Sequence, residues 1–143
     1  MMTDLEALYS GVILDHNKHP RNCRRLKPAR HAVGYNPLCG DRVTVYLRVE
    51  SGVIRDAAFE GIACAIATAS ASLMTENVTG KTLADAERLL ERVQQMVTAA
   101  GSDSFEELGE LSALAGVRQH PARVKCAMLA WQTLRAAATE REE

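Results

Sequence analysis

Hydrophobic and polar positions follow three rhythms along the chain. Near the start, Leu5, Leu8, Val12 and Ile13 recur at helical spacing. Thr3 and Glu6 form a T-x-x-E capping box, in which each side chain satisfies the other residue's exposed N–H. Pro20 ends that pattern, and a basic loop follows with Arg21, Arg24, Arg25, Lys27 and Arg30. In the middle, Val43, Val45, Leu47 and Val49 alternate with Arg42, Thr44, Tyr46, Arg48 and Glu50, the two-residue period of a half-buried strand. Ser51-Gly52 reads as a turn, Val53 to Phe59 as the return strand, and His31 to Tyr35 as a third short strand. The remainder is helical. Cys64 to Val78 is rich in small residues that permit close packing on the sheet, and Gly80 ends it. Thr82 caps a helix carrying Leu83, Leu89, Leu90, Val93 and Val97. Gly101 to Ser104 reads as a loop and Phe105 to Gly116 as a short helix. Pro121 suits the first position of a last, amphipathic helix through Val124, Met128, Trp131 and Leu134.

Strands followed by helices, without βαβ alternation, predict an α+β fold: a small antiparallel sheet of three strands packed against several helices. A length of 143 residues predicts one domain over 1–143. Lys plus Arg is 17 against 18 Asp plus Glu, which argues against a general nucleic-acid binder. Aromatics at 4% are too few for base-stacking platforms. No apolar run reaches the ~18 residues of a membrane span. Asp4, Glu6 and Asp15 interrupt the apolar stretch that a signal peptide requires. The expected location is therefore a reducing cytoplasm. There, four cysteines are free, metal-bound or catalytic rather than disulfide-bonded.

Four residues carry candidate chemistry: Cys39, Asp41, Cys64 and Cys126. Each sits near the end of an element, and such ends can converge at one rim of a small sheet. Their spacing alone leaves two readings open, since there is no C-x-x-C pair and small cysteines also fill cores. The donor chemistry favours a metal: three thiolates and a carboxylate suit tetrahedral zinc. Gly40 lets the backbone turn between Cys39 and Asp41, and a helix N-terminus at Cys64 favours its thiolate. Four anionic ligands leave a dication site net negative, so Arg123 and Lys125 beside Cys126 are candidate counter-charges.

A run of ordered motifs then carries a resemblance. Leu8-Tyr9, Val12-Ile13-Leu14-Asp15-His16, Pro20-Arg21-Asn22, Asn36-Pro37-Leu38-Cys39-Gly40-Asp41, Phe59-Glu60-Gly61, Ala69-Ser70-Ala71-Ser72, Met74-Thr75, Gly80-Lys81 and Arg123-Val124-Lys125-Cys126-Ala127 follow in sequence. Together they resemble the SufU branch of the IscU/NifU N-terminal family of iron–sulfur assembly proteins, over nearly the whole chain from Leu5 to Leu134. The resemblance implies a small sheet covered by helices, with a metal held by Cys39, Asp41, Cys64 and Cys126. SufU-type members resemble zinc-dependent sulfurtransferases that accept persulfide sulfur from the cysteine desulfurase SufS. In that reading a desulfurase group such as a histidine takes over one zinc position and frees Cys39 as nucleophile, while Cys64 and Cys126 stay on the metal and Asp41 orients the site. Iron–sulfur assembly proteins downstream are the further partners, with no nucleic acid or membrane involved. The alternative is an IscU-like scaffold that assembles an iron–sulfur cluster on the same four residues, and a purely structural zinc module is a third class.

Lys125 where IscU-like proteins carry His, the long stretch through Gly101–Gly116 and Pro121-Ala122-Arg123-Val124-Lys125 in place of Leu-Pro-Pro-Val-Lys point to the SufU branch. Three departures stand out: Ala63 for a usual Gly, Arg24 for a common Gly and His120 for a frequent Phe. Cys23 matches no ligand and reads as a bystander. His16 continues the apolar face of the first helix and reads as packed. His19, His31 and His120 read as exposed or structural. The basic loop reads as a solvated face, or alternatively as a docking surface for an acidic patch on the desulfurase.

Overall fold

The computed structural model describes residues 11–98 and 105–140. The capping box at Thr3 and Glu6, the positions Leu5 and Leu8 and the Gly101–Ser104 loop lie outside the described residues. Helix α1 spans Gly11–Lys18, and strands β1, β2 and β3 span Arg30–Asn36, Asp41–Glu50 and Val53–Ile62. Helices α2 and α3 span Ala65–Val78 and Leu83–Thr98, a 3-10 segment covers Glu106–Gln119, and α4 spans Pro121–Ala138. The sheet order is β1-β2-β3 with both pairs antiparallel, as the alternation of Val43, Val45 and Leu47 predicts. Those three residues are buried against the helices, with α4 lying over β1 and β2 and α2 over β3. Helix α1 packs on α2, and there His16 is buried, as read from the sequence. Its Nδ1 lies 2.7 Å from Ser72 Oγ, which also accepts from the Arg21 backbone N–H.

Thr82 caps α3 by accepting the Asp85 N–H at 3.0 Å. The return strand runs past Phe59 to Ile62 because β2–β3 pairing continues to Arg42↔Ile62. Gly61 permits that extension. It has φ 150°, and a Cβ there would lie 2.0 Å from the Arg42 carbonyl oxygen. On the outer face, Tyr46 is 8% exposed rather than solvated. Leu26 and Ala29 of the basic loop cover it together with Ala58. The loop's arginines turn outward to the chain's own carboxylates: Arg21 to Asp15, Arg24 to Asp56 and Arg25 to Glu60. Arg24, read as a departure, thus gains a partner.

Two helical expectations change. The segment after Phe105 is 3-10 rather than α-helical and reaches Gln119, with a break at Gly109 where φ is 56°. Its buried residues are Leu108, Leu111, Leu114 and Val117, a strict three-residue period that matches three residues per turn. Phe105 pins its start, with the guanidinium of Arg92 4.5 Å and that of Arg118 5.5 Å from the ring centre. Helix α4 is not amphipathic. Every residue from Cys126 to Trp131 is buried, because sheet, α2, α3 and the 3-10 segment surround it. A one-sided stripe cannot describe a helix covered on several sides.

Two substitutions test this packing. Gly61→Ala is expected to cost roughly 1–3 kcal/mol, since the methyl meets backbone and φ lies outside the usual range. An unchanged urea midpoint contradicts it. Leu114→Ala is expected to cost about 2–5 kcal/mol if the 3-10 segment is core. A loss below about 0.5 kcal/mol, typical of surface sites, shows that it is not.

Candidate metal centre

The ends of three segments of secondary structure meet at one corner of the sheet. Asn36 closes β1, and residues 37–40 link it to Asp41 at the start of β2. The Gly40 and Cys39 N–H groups donate to the Asn36 carbonyl at 2.8 and 3.4 Å, and Gly40 takes φ 75°. This tight turn lifts Cys39 to the surface, while Asp41 drops into the protein at 3% exposed. Cys64 caps α2, and its N–H donates to Asp41 Oδ1 at 2.8 Å. Cys126, in the second turn of α4, brings its sulfur to the same corner.

Cys39 Sγ donates to Asp41 Oδ2 at 2.8 Å and lies 3.6 Å from Cys126 Sγ. The ligand atoms of Cys39, Asp41 and Cys126 all lie within 4.8 Å of one another. Cys64 borders this trio, but its sulfur is engaged as a helix cap, accepting the Ala67 N–H at 3.4 Å. The structure thus brings Cys39, Asp41 and Cys126 together, and the Cys64 side chain, while accepting the Ala67 N–H, also reaches Asp41 and Cys126. Arg123 Nη1 lies 3.9 Å from Cys126 Sγ, and Asn36 Nδ2 lies 4.0 Å from it. Of the two candidate counter-charges, Arg123 reaches the sulfur, whereas Lys125 is exposed.

The electrostatics follow from burial and partners. Burial raises the Asp41 carboxyl, but hydrogen bonds from Cys39 and the Cys64 N–H outweigh it, and the group stays below its ordinary range. Asp41 is therefore ionised at neutral pH. Burial, the Cys64 charge and the contact with Cys39 push the Cys126 thiol well up, against a smaller opposing effect of Arg123.

The remaining sequence readings are placed as follows. Cys23 is exposed and its backbone bridges to Phe59, outside the trio. Ala63 is not among the residues with positive φ, so a side chain there carries no backbone strain. His19 and His31 are exposed, and the His31 ring lies 6.0 Å from that of Tyr46. His120 is half-buried, and among the described residues its Nε2 is a buried nitrogen with no hydrogen-bond partner. Sequence reasoning missed a role for Asn36, although an Asn before Pro at a hairpin end is a turn signal. It also missed an exposed apolar rim of Tyr35, Leu38 and Ile62 beside the centre. No described helix is long and apolar enough to cross a membrane.

Residues 8–142 match the NifU-like N terminal domain family. The zinc-dependent sulfurtransferase SufU of Bacillus subtilis is 39% identical over 92% of this chain and 89% of its own. The iron–sulfur cluster assembly scaffold protein IscU of Streptococcus pyogenes is 38% identical over 95% of this chain and 86% of its own. Among solved structures, FiSufU of Fervidobacterium islandicum AW-1 superposes with a TM-score of 0.85 at 34% identity, covering 92% of this chain and 97% of that one. The N-terminal NifU-like protein of Brucella abortus also gives 0.85, at 26% identity, over 94% of each chain. With matches over nearly its full length, the chain belongs to the NifU-like N-terminal domain family of IscU and SufU iron–sulfur cluster assembly proteins.

Proposed function

We propose that this protein is a SufU-like, zinc-dependent sulfurtransferase that accepts persulfide sulfur at Cys39 from a cysteine desulfurase. The observation that carries the reading is the unequal access of the three thiols. Cys39 is exposed on a turn, Cys126 is 1% exposed, and Cys64 is engaged in capping α2. A sulfur acceptor needs one reachable thiol held beside less mobile ones.

The donor set suits zinc. The 3.6 Å separation of Cys39 and Cys126 sulfurs is close to the ~3.8 Å edge of a tetrahedron with zinc–sulfur bonds of ~2.3 Å. Cys39, Asp41, Cys64 and Cys126 would hold the ion, with Cys64 giving up its capping bond. Bound zinc is redox-inert and keeps its thiol ligands deprotonated near neutral pH. The chain's own residues do the rest. Asp41, ionised and braced by the Cys64 N–H, accepts the Cys39 S–H in the metal-free site; with zinc bound that proton would be lost to solvent and Asp41 would orient the centre. The Cys39 thiolate then attacks the outer sulfur of a persulfide R–S–SH. An S–S bond forms at Cys39, the donor's S–S bond breaks, and R–S⁻ leaves. The hydrogen on the outer sulfur travels with it, so no external oxidant or reductant is required.

A scaffold role is the second reading. Its support is that relatives named IscU scaffold proteins match as well as the sulfurtransferase, at 38% and 39% identity. The cysteine-to-alanine reaction of the desulfurase separates the two. With zinc-loaded protein and a reductant present, alanine formation is expected to rise many-fold and to fall back to the basal rate with Cys39→Ala. No rise contradicts sulfur acceptance, and a brown cluster under anaerobic reconstitution then supports the scaffold.

Metal removal gives a further prediction. A chelator is expected to abolish the stimulation and lower the melting temperature, and zinc to restore both, because metal binding couples to folding. Undiminished stimulation in metal-free protein contradicts the zinc dependence.

A further inference from the structure

We propose that Asn36 is a positioning residue of the metal centre: its side-chain amide donates to the Cys126 sulfur while its oxygens shape the turn carrying Cys39. This inference rests on the metal-site reading above and extends it to a residue outside the ligand set. Asn36 is 6% exposed. A buried primary amide must place both its oxygen and its N–H donors. Its Oδ1 accepts the Leu38 N–H at 3.2 Å, and its main-chain oxygen accepts from Gly40 and Cys39. What remains is Nδ2, and its partner is Cys126 Sγ at 4.0 Å. One residue thereby ties the Cys39 turn, at the end of β1, to the helix that carries Cys126.

The long N···S separation has a physical reading. A thiol sulfur is a weak acceptor. A metal-bound thiolate is anionic, and hydrogen bonds to charged acceptors are shorter and roughly twice as strong as neutral ones. The amide therefore favours the metal-bound form of Cys126 over the free thiol. Partners of this kind, one bond beyond the ligands, typically change metal affinity by ~10–100-fold when removed. The direction of the side chain is also determined by the chain. Asn36 pairs with Asp41 in the β1–β2 register, and Pro37 restricts it to extended backbone.

Two substitutions keep a turn acceptor and remove the amide N–H donor, and the shorter serine side chain carries its hydroxyl away from Cys126. Asn36→Asp preserves volume, and Asn36→Ser retains a short oxygen of the type that supports such turns. Cobalt(II) serves as the probe, since its thiolate charge-transfer bands report on sulfur donation independently of any sulfur-transfer activity. The readouts are band energy and the rate of cobalt release to a chelator at about pH 8, where an ordinary Asp is ionised. Both variants are expected to release cobalt ~10–100-fold faster than the unaltered protein, with bands moved to lower energy. The metal-free variants are expected to keep the unaltered circular dichroism spectrum. Folded variants with unchanged bands and release rate overturn the role of Asn36 while leaving the metal site standing. Unaltered protein that shows no thiolate bands overturns the metal-site reading, and this inference with it.

Discussion

A carboxylate at 3% exposure stays ionised only if neighbouring groups replace the water it has lost. At Asp41 the replacements are the Cys64 N–H and the Cys39 thiol, each at 2.8 Å on a different oxygen. One bond reaches the helix that follows β3, and the other holds the turn that precedes β2. The carboxylate thus couples the hairpin to the N-terminus of α2, where exposed amides and the helix dipole favour negative charge. Without it, Cys39 and Cys64 belong to separate pieces of surface.

The rest of the molecule keeps that corner rigid on one side and open on the other. Gly34 lets α4 approach β1, since a Cβ there would lie 2.0 Å from Thr133 Oγ1. This brings Cys126 to its place. Ser70 donates to the Ala127 carbonyl at 2.6 Å and accepts from Trp131 Nε1 at 3.1 Å, which binds α2 to α4. The open side is the turn itself, with Leu38 at 71% exposure and Cys39 next to it. The sulfur-acceptor role proposed above would use this combination: Asp41 and Cys126 fixed from behind and one thiol within reach in front.

Local patterns made much of this legible. The two-residue alternation of β2 announced the sheet, and Gly80 and Thr82 marked the α2–α3 boundary. Cys39, Asp41, Cys64 and Cys126 all sit near element ends in the sequence, and the ligand atoms of Cys39, Asp41 and Cys126 lie within 4.8 Å of one another. What stayed hidden depends on tertiary surroundings. Tyr46 looks solvent-facing until Leu26 and Ala29 fold over it. The period of three in Leu108, Leu111, Leu114 and Val117 also falls within the looser spacing of an α-helix, so the sequence does not separate the two. Asn36 carries no charge or metal-ligand signature, and its role emerges only when α4 arrives beside the hairpin.

The central claim is that Cys39 takes up the sulfur. Mass spectrometry of zinc-loaded protein, after brief mixing with persulfide-charged desulfurase and alkylation, tests it most directly. The account predicts one added sulfur atom on the peptide containing Cys39 and none on those containing Cys64 or Cys126. Added sulfur on Cys64 or Cys126 with Cys39 unmodified, or on no cysteine, would contradict it.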